Sequence, residues 1–365
     1  MSKLSCDIWR DFHDFYSQWI VDASFCYHGW TTEDDNNFET KIKEIHLNPY
    51  HEEGSVWNHV SQVFQESVKI ADTLPDEQDQ KELIIVALCH DLGKVMMRDA
   101  IVKPEGRKVT YFSGHEYASC FLALPFLLRY FQDQKTLERL MTVISLHTAI
   151  YKEEDMHSFV TDEKTFSLLN NLGLSDHRGR ISETGDFHGL HWTGTRHYPD
   201  PIVSNDQTIT LLIGIPGSGK SYFSKNMNPY GKVFSTDETM LKYAEEKCGV
   251  KNDYNRAFQN VSNSKFNWVE HTINECFEHA KTTCENVVLD ATNLTKKKRN
   301  IIVRKAKSQR YKVRYIMFWR DFEKCLQKRD GNKTIPLDVY KRMMQSFSFP
   351  QIQEYDELQH IFALM

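Results

Sequence analysis

Thr208-Ile-Thr-Leu-Leu-Ile-Gly-Ile-Pro-Gly-Ser-Gly-Lys-Ser221 joins an apolar, strand-forming run directly to a glycine turn of the pattern GxxxxGK[ST]. Such a turn must curl so that several backbone N–H groups point at one phosphate, at the positive end of the next helix. Gly214, Gly217, Ser218 and Gly219 are therefore the candidate cradle for ATP or another NTP. Lys220 would reach the β- and γ-phosphates, and the Ser221 hydroxyl would ligate Mg²⁺.

Outward from this turn the pattern repeats. Lys232–Ser235, Asn286–Asp290 and Tyr311–Phe318 read as further strands, with helical stretches at Tyr254–Ala280 and Lys296–Arg310 between them. Alternation of this kind predicts a parallel sheet covered on both faces. Towards the N-terminus, from about Asn37 to Arg180, apolar residues recur at helical spacing, as in Val56, Val60, Val63, Phe64 and Val68. After Arg180 follows a Gly-, Thr-, His- and Pro-rich stretch without amphipathic period. The fold class is thus multidomain, α and α/β. An all-helical domain at 1–195 is followed by a linker at 196–206 and a P-loop domain with a parallel sheet at 207–365.

With 365 residues, 40% apolar and 26% charged, the chain can bury full cores, which excludes global disorder or low complexity. Its first 19 residues carry charges every few positions, and no run approaches 18 apolar residues, so it reads as a cytoplasmic protein without a membrane partner. Eight cysteines without a CxxC pair suit reduced thiols. The net charge of −5 hides an asymmetry: Lys281 to Arg342 holds 18 Lys and Arg against 6 Asp and Glu. That segment either binds a polyanion or is a solvated face of basic helices.

Acids stand where the strands of the second half should end. Asp237, in Phe234-Ser-Thr-Asp237, is a candidate general base facing an acceptor hydroxyl, or an N-cap for a helix starting at Glu238. Asp290 closes Asn286-Val-Val-Leu-Asp290 and would orient acceptor or metal, or cap a turn. Arg329 follows the helical stretch Asp321–Lys328, where a closing arginine could cover the transferring phosphoryl group, or simply face water. Together GIPGSGKS, FSTDE, VVLDATNLTKKKR and Arg329-Asp330 with Ile335-Pro336 and Phe349-Pro350 resemble the 5′-hydroxyl polynucleotide kinases of the phage and RNA-repair type, from about Thr208 onward. The resemblance implies that Lys220 and Ser221 bind the donor, Asp237 is the base on the 5′-hydroxyl, and Arg329 is a lid arginine. It assigns Asp290 and Asn293 to the acceptor region. Such lids often carry a second arginine a few residues on, where this chain has Asn332 and Lys333.

The helical half holds an array of histidines and aspartates. His59, His90-Asp91, His115, His147 and Asp176 lie in or beside separate predicted helices, as when a bundle builds a metal site. His90 and Asp91 directly follow Leu83–Cys89, apolar all round, so two polar groups need partners in a buried place. Lys94 falls on their side if the helix continues past Gly93. These motifs resemble the HD-domain metal phosphohydrolases over about Pro49 to Arg180. By that resemblance His59, His90, Asp91 and Asp176 hold a first divalent transition metal (Mn, Ni, Co, Fe or Zn) and His115 and His147 suggest a second. Water would be activated for attack on phosphorus, with Lys94, and His51 or Arg180, on the phosphate oxygens.

As a whole the chain resembles the HD-phosphoesterase/polynucleotide-kinase fusions of bacterial and phage RNA repair. The resemblance implies a bifunctional enzyme that removes 2′,3′-cyclic or 3′/2′ phosphates and phosphorylates 5′-hydroxyl ends of RNA or DNA, upstream of a nucleic-acid ligase. An alternative is an HD nucleotide phosphohydrolase joined to a nucleoside or metabolite kinase, which needs one pocket rather than a basic surface.

Overall fold

Caps and apolar periods set the helices of the N-terminal half. In the computed structural model, which describes residues 1–24, 55–102, 108–151, 155–180, 189–193, 207–327 and 333–363, the chain divides into units at Met1–Arg196 and His197–Met365. In the first unit α1 (Lys3–Phe15) and α2 (Ser17–Ser24) precede α3 (Val56–Ala71), α4 (Glu77–Cys89) and the short α5 (Gly93–Met97). Then come α6 (His115–Tyr130), α7 (Gln134–Leu146) and α8 (Glu163–Arg178). Ser55, Asp76, Asp133 and Asp162 each accept a backbone N–H three residues on, which starts α3, α4, α7 and α8 where the sequence places a capping side chain.

Every residue from Leu83 to Cys89 is buried, so α4 is the central rod of this bundle. Among the described residues the unit is helical with one exception: β1 (Asp99–Val102) and β2 (Lys108–Tyr111) form an antiparallel pair between α5 and α6. Four-residue strands are too short to show as an alternating run. Trp9 stacks on Phe64 at 4.4 Å, and the Trp19 indole donates to the Leu92 carbonyl at 2.8 Å, so α1 and α2 are fastened to the bundle.

The second unit is built on a five-stranded, all-parallel sheet in the order β4-β5-β3-β6-β7. Its strands are β3 (Thr208–Ile213), β4 (Lys232–Ser235), β5 (Val287–Asp290), β6 (Lys312–Arg320) and β7 (Glu357–Ala363). Between them run α9 (Lys220–Asn226), α10 (Thr236–Cys248), α11 (Tyr254–Ser262), α12 (Trp268–Thr283), α13 (Lys296–Ser308), α14 (Phe322–Leu326) and α15 (Leu337–Gln345). β3 and β5 are buried along their whole length, as strands covered on both faces must be. Register pairs Ser235 with Asp290, so β4 and β5 end together beside the glycine turn after β3.

The single helix expected over Tyr254–Ala280 is two, because Asn267 caps a new one by accepting from Glu270 N–H. Asp237 is not an N-cap. Ser235 holds that place, and Asp237 lies in the first turn of α10. No helix among the described residues is long and apolar enough to cross a membrane.

Candidate metal centre and phosphate-loop site

Three helices and the ends of two more in the first unit bring the expected histidines and aspartates to one buried point. His59 comes from the first turn of α3, His90 and Asp91 from the end of α4, His115 from the start of α6, His147 from the end of α7 and Asp176 from the last turn of α8. His59, His90 and Asp91 form one donor triad, and Asp91, His115 and His147 a second, with each triad's donor atoms within 4.8 Å of one another. Asp91 is shared. Its Oδ2 lies 3.3 Å from His59 Nε2 and 3.2 Å from His90 Nε2; its Oδ1 lies 3.1 Å from His115 Nε2 and 3.4 Å from His147 Nε2. Asp176 Oδ1 joins the first triad at 3.0 Å from His59 Nε2 and 3.8 Å from His90 Nε2.

The ring orientations are fixed by backbone. His90, His115 and His147 each place Nδ1 2.7–2.8 Å from the carbonyl three residues earlier, Ala87, Phe112 and Ile144. A carbonyl only accepts, so Nδ1 carries the proton and Nε2 keeps its lone pair for the centre. His90 Nε2 is buried without a hydrogen bond among the described residues, and the buried Asp91 oxygens have only charge contacts, to Lys94 and the ring nitrogens. Polar atoms left so in a core are costly, and divalent ions bound to N and O donors would satisfy them. The residues present therefore fit two divalent ions, with Asp91 offering a donor to each triad.

Charge in the centre is arranged around the two aspartates. Burial pushes the Asp91 carboxyl up, but His90 and Lys94 beside it, with His115 and His147 facing it, hold it well below the usual range. Asp176 is likewise held low against burial by Arg180 and His59. Lys94 Nζ sits 2.7 Å from Asp91 Oδ2. It arrives there through a turn at His90–Leu92 and a fresh helix, not by continuation of α4. Gly93 permits this, since a Cβ there would stand 2.2 Å from the His115 carbonyl oxygen.

Arg180 bonds Asp176 and lies 4.3 Å over the Tyr151 ring, whose hydroxyl also donates to Asp176 at 2.9 Å. Glu116, which the sequence reading did not select, accepts the Thr148 hydroxyl. Despite its burial the neighbouring His115 and His147 pull it down to about 2. Its only sequence signal is adjacency to His115. His51 lies outside the described residues.

In the second unit Gly217 (φ 83°) and Gly219 (φ 104°) take left-handed backbone, and Gly219 stands at the N-cap of α9. A Cβ on Gly214 would meet Ser218 Oγ at 2.6 Å. Lys220 Nζ donates to the Gly214 and Ile215 carbonyls, both at 2.8 Å, while Ser218 is fully buried. Asp290 accepts from Ser224 Oγ at 3.1 Å; its carboxyl is raised, by burial first, against Lys220, Ser221 and Ser224, which lower it.

Asn293 is buried at positive φ (46°) and its amide donates to the Leu212 carbonyl at 2.9 Å, bracing the end of β3. Arg320, at the end of β6, was not foreseen. Its Nη1 donates to the Gly217 carbonyl at 3.1 Å, and its buried Nε has no hydrogen-bond partner among the described residues. Arg329 lies outside the described residues.

Two family profiles match the chain, the HD domain over residues 56–172 and the AAA domain over residues 209–350. A relative is the 6-phosphofructo-2-kinase/fructose-2,6-bisphosphatase of Aquarana catesbeiana, 26% identical over 123 residues. The match covers 32% of this chain and 26% of that protein's length. The chain thus joins an HD domain, of the metal-binding and phosphoesterase-like kind, to a P-loop NTPase-type domain.

Proposed function

We propose that the chain is a two-centre phosphoryl enzyme, a metal-dependent phosphohydrolase followed by an NTP-dependent kinase. The observation that carries this reading is the pair of buried donor triads sharing Asp91, on a chain that also holds the phosphate loop Gly214–Ser221. His59, His90, Asp91 and Asp176, and Asp91, His115 and His147, would hold divalent ions, and metal bound there would supply an activated water and Lewis acidity. Lys94 and Arg180 stand beside them as cations for the phosphate oxygens of a substrate. In the kinase, the loop N–H groups, Lys220 and Ser221 with Asp290 hold the NTP phosphates and Mg²⁺, and Asp237 accepts the proton of the acceptor hydroxyl.

The acceptor separates two readings. The comparison with the frog protein supports a small-molecule kinase better than a polynucleotide kinase, since its name pairs a kinase and a bisphosphatase for fructose phosphates. In favour of nucleic-acid ends, with hydrolysis of a 2′,3′-cyclic or terminal phosphate and transfer to a 5′-hydroxyl, stands α13. It begins six residues after Asp290 with Lys296, Lys297 and Lys298 exposed, and a hollow on it is lined by Lys296, Lys297, Asn300, Ile301 and Arg304. Cations spread along a helix suit a phosphodiester backbone more than one phosphate.

The deciding experiment offers γ-labelled ATP and Mg²⁺ with either a 5′-hydroxyl oligoribonucleotide or fructose 6-phosphate and nucleosides. Label transferred to the oligonucleotide end supports end healing and a downstream ligase. Label transferred only to a small acceptor overturns end healing and supports the other reading. No transfer to any acceptor overturns the kinase itself.

A further inference from the structure

Asp237 is half-exposed at the edge of the sheet, yet both oxygens of its carboxylate are engaged. Tyr254 Oη donates to Oδ1 at 2.9 Å, and Lys333 Nζ reaches Oδ2 at 2.5 Å. Lys333 Nζ also lies 4.1 Å over the Tyr254 ring, so the three side chains close on one another. The residues next to them are joined as well: the Asn255 side-chain amide donates to Thr334 Oγ1 at 2.7 Å, and the Thr334 N–H donates back to Asn255 Oδ1 at 3.4 Å. Tyr254 packs against the core of Met240, Ala244, Val250, Ala257 and Val261, which fixes the ring. Among the described residues, the other charged groups about Asp237 are Asp290 at the end of β5 and, on its own helix, Glu238, which pairs with Lys225 of α9.

We propose that Tyr254 and Lys333 are positioning residues of the kinase centre, which hold the Asp237 carboxylate towards the acceptor hydroxyl. The inference rests on the reading of Asp237 as general base and is independent of acceptor class. In the step they serve, the acceptor O–H proton passes to Asp237. The acceptor oxygen bonds the γ-phosphorus, and the bond from that phosphorus to the β-phosphate oxygen breaks, releasing the nucleoside diphosphate. A carboxylate oxygen has room for more than one donor, so each can take the acceptor hydroxyl while keeping its clamp. Charge-assisted and bidentate holding of this kind fixes direction as well as charge.

The test measures kcat and acceptor KM for the full chain with the 5′-hydroxyl oligoribonucleotide and, in a second arm, fructose 6-phosphate. Lys333→Ala should lower kcat about 10- to 100-fold with acceptor KM changed less than about threefold. Added ethylamine should restore part of the loss, and Lys333→Arg most of it. Tyr254→Phe, which keeps the ring under the ammonium, should lower kcat about three- to tenfold. Lys333→Ala at wild-type kcat, or impaired only in KM and not rescued by amine, overturns the inference. Asp237→Asn separates the two claims. If it retains full activity the base reading fails. If it is inactive while Lys333→Ala and Tyr254→Phe are unimpaired, only the positioning role fails. A wild type inactive in both arms overturns both.

Discussion

In the helical unit, six candidate donor side chains from His59 to Asp176 are drawn from distant helices to one buried point; in the sheet unit, the proposed phosphate-binding residues are consecutive, from Gly214 to Ser221. The first site is made of side chains whose directions are set by bundle packing and by Nδ1 bonds to carbonyls. The second is made of backbone, and its direction is set by glycine conformations and a helix end. One follows from the other in each case: a metal centre needs charge and lone pairs aimed inward, whereas a phosphate needs N–H groups in a row. The metal centre should therefore fail abruptly when one shared residue is lost, and the kinase edge should be tunable by single surface groups.

The largest effect should come from Asp91, which serves both triads. Asp91→Ala should remove both ions, read as metal per chain, and lower hydrolysis at least about 10³-fold, while kinase turnover stays within about twofold. His147→Ala, which touches only the second triad, should retain the first ion. Loss of one ion only in Asp91→Ala would break the idea of a bridging carboxylate. Next in size is Gly93→Ala: the new methyl would collide with the His115 carbonyl, destabilising the first unit by about 1–3 kcal/mol in thermal unfolding. An unchanged midpoint would show that the turn after Asp91 tolerates a side chain.

A pH effect belongs to the sheet unit. His360 is buried, which pushes it down to about 3, and its Nδ1 accepts the Trp319 indole N–H at 3.1 Å, so it is held neutral. The unfolded chain binds a proton at this residue below its ordinary value of about 6.5, and the folded chain does not until about 3. Stability from this group is therefore present above about pH 6.5 and lost as pH falls through that window, by up to about 2 kcal/mol at pH 5. His360→Gln, which keeps an acceptor for the indole, should flatten urea midpoints between pH 7.5 and 5. Equal slopes in variant and wild type would contradict it.

The smallest and most discriminating effect is on α13. Lys297→Glu with Arg304→Glu should raise oligonucleotide KM about three- to tenfold and reduce its salt slope by about 1–2, leaving small acceptors untouched. No change with the oligonucleotide would detach the basic helix from the acceptor.

Much of this could be read in the sequence, for reasons that differ between the regions. The order of strand, glycine turn and helix around Gly214 is local, and so is the apolar run that buries Leu83–Cys89 ahead of His90. The sharing of Asp91 between two triads is not local, since it depends on helix packing that no spacing states. Asn293 shows the opposite case: beside the role the resemblance implies, its amide also braces the Leu212 carbonyl, a contact that no spacing states. Tyr254 and Arg320 were hidden because their partners lie far off in sequence, as does the partner of Lys333, which stands out only by its place near the expected lid; Arg320 reaches Gly217 only because β6 is hydrogen-bonded to β3. The pair β1–β2 and the edge strand β7 were too short or too polar to carry a period.

The central claim is that one chain holds two independent phosphoryl centres, and reciprocal loss tests it most directly. An oligoribonucleotide with a 5′-hydroxyl and a 2′,3′-cyclic phosphate would be incubated with ATP, Mg²⁺ and Mn²⁺ or Ni²⁺. Wild type would be compared with Lys220→Ala and with the double variant His90→Ala, Asp91→Ala. The account predicts that Lys220→Ala loses only 5′ phosphorylation and the double variant loses only hydrolysis at the other end. Loss of both activities in either variant, or of neither, would contradict it.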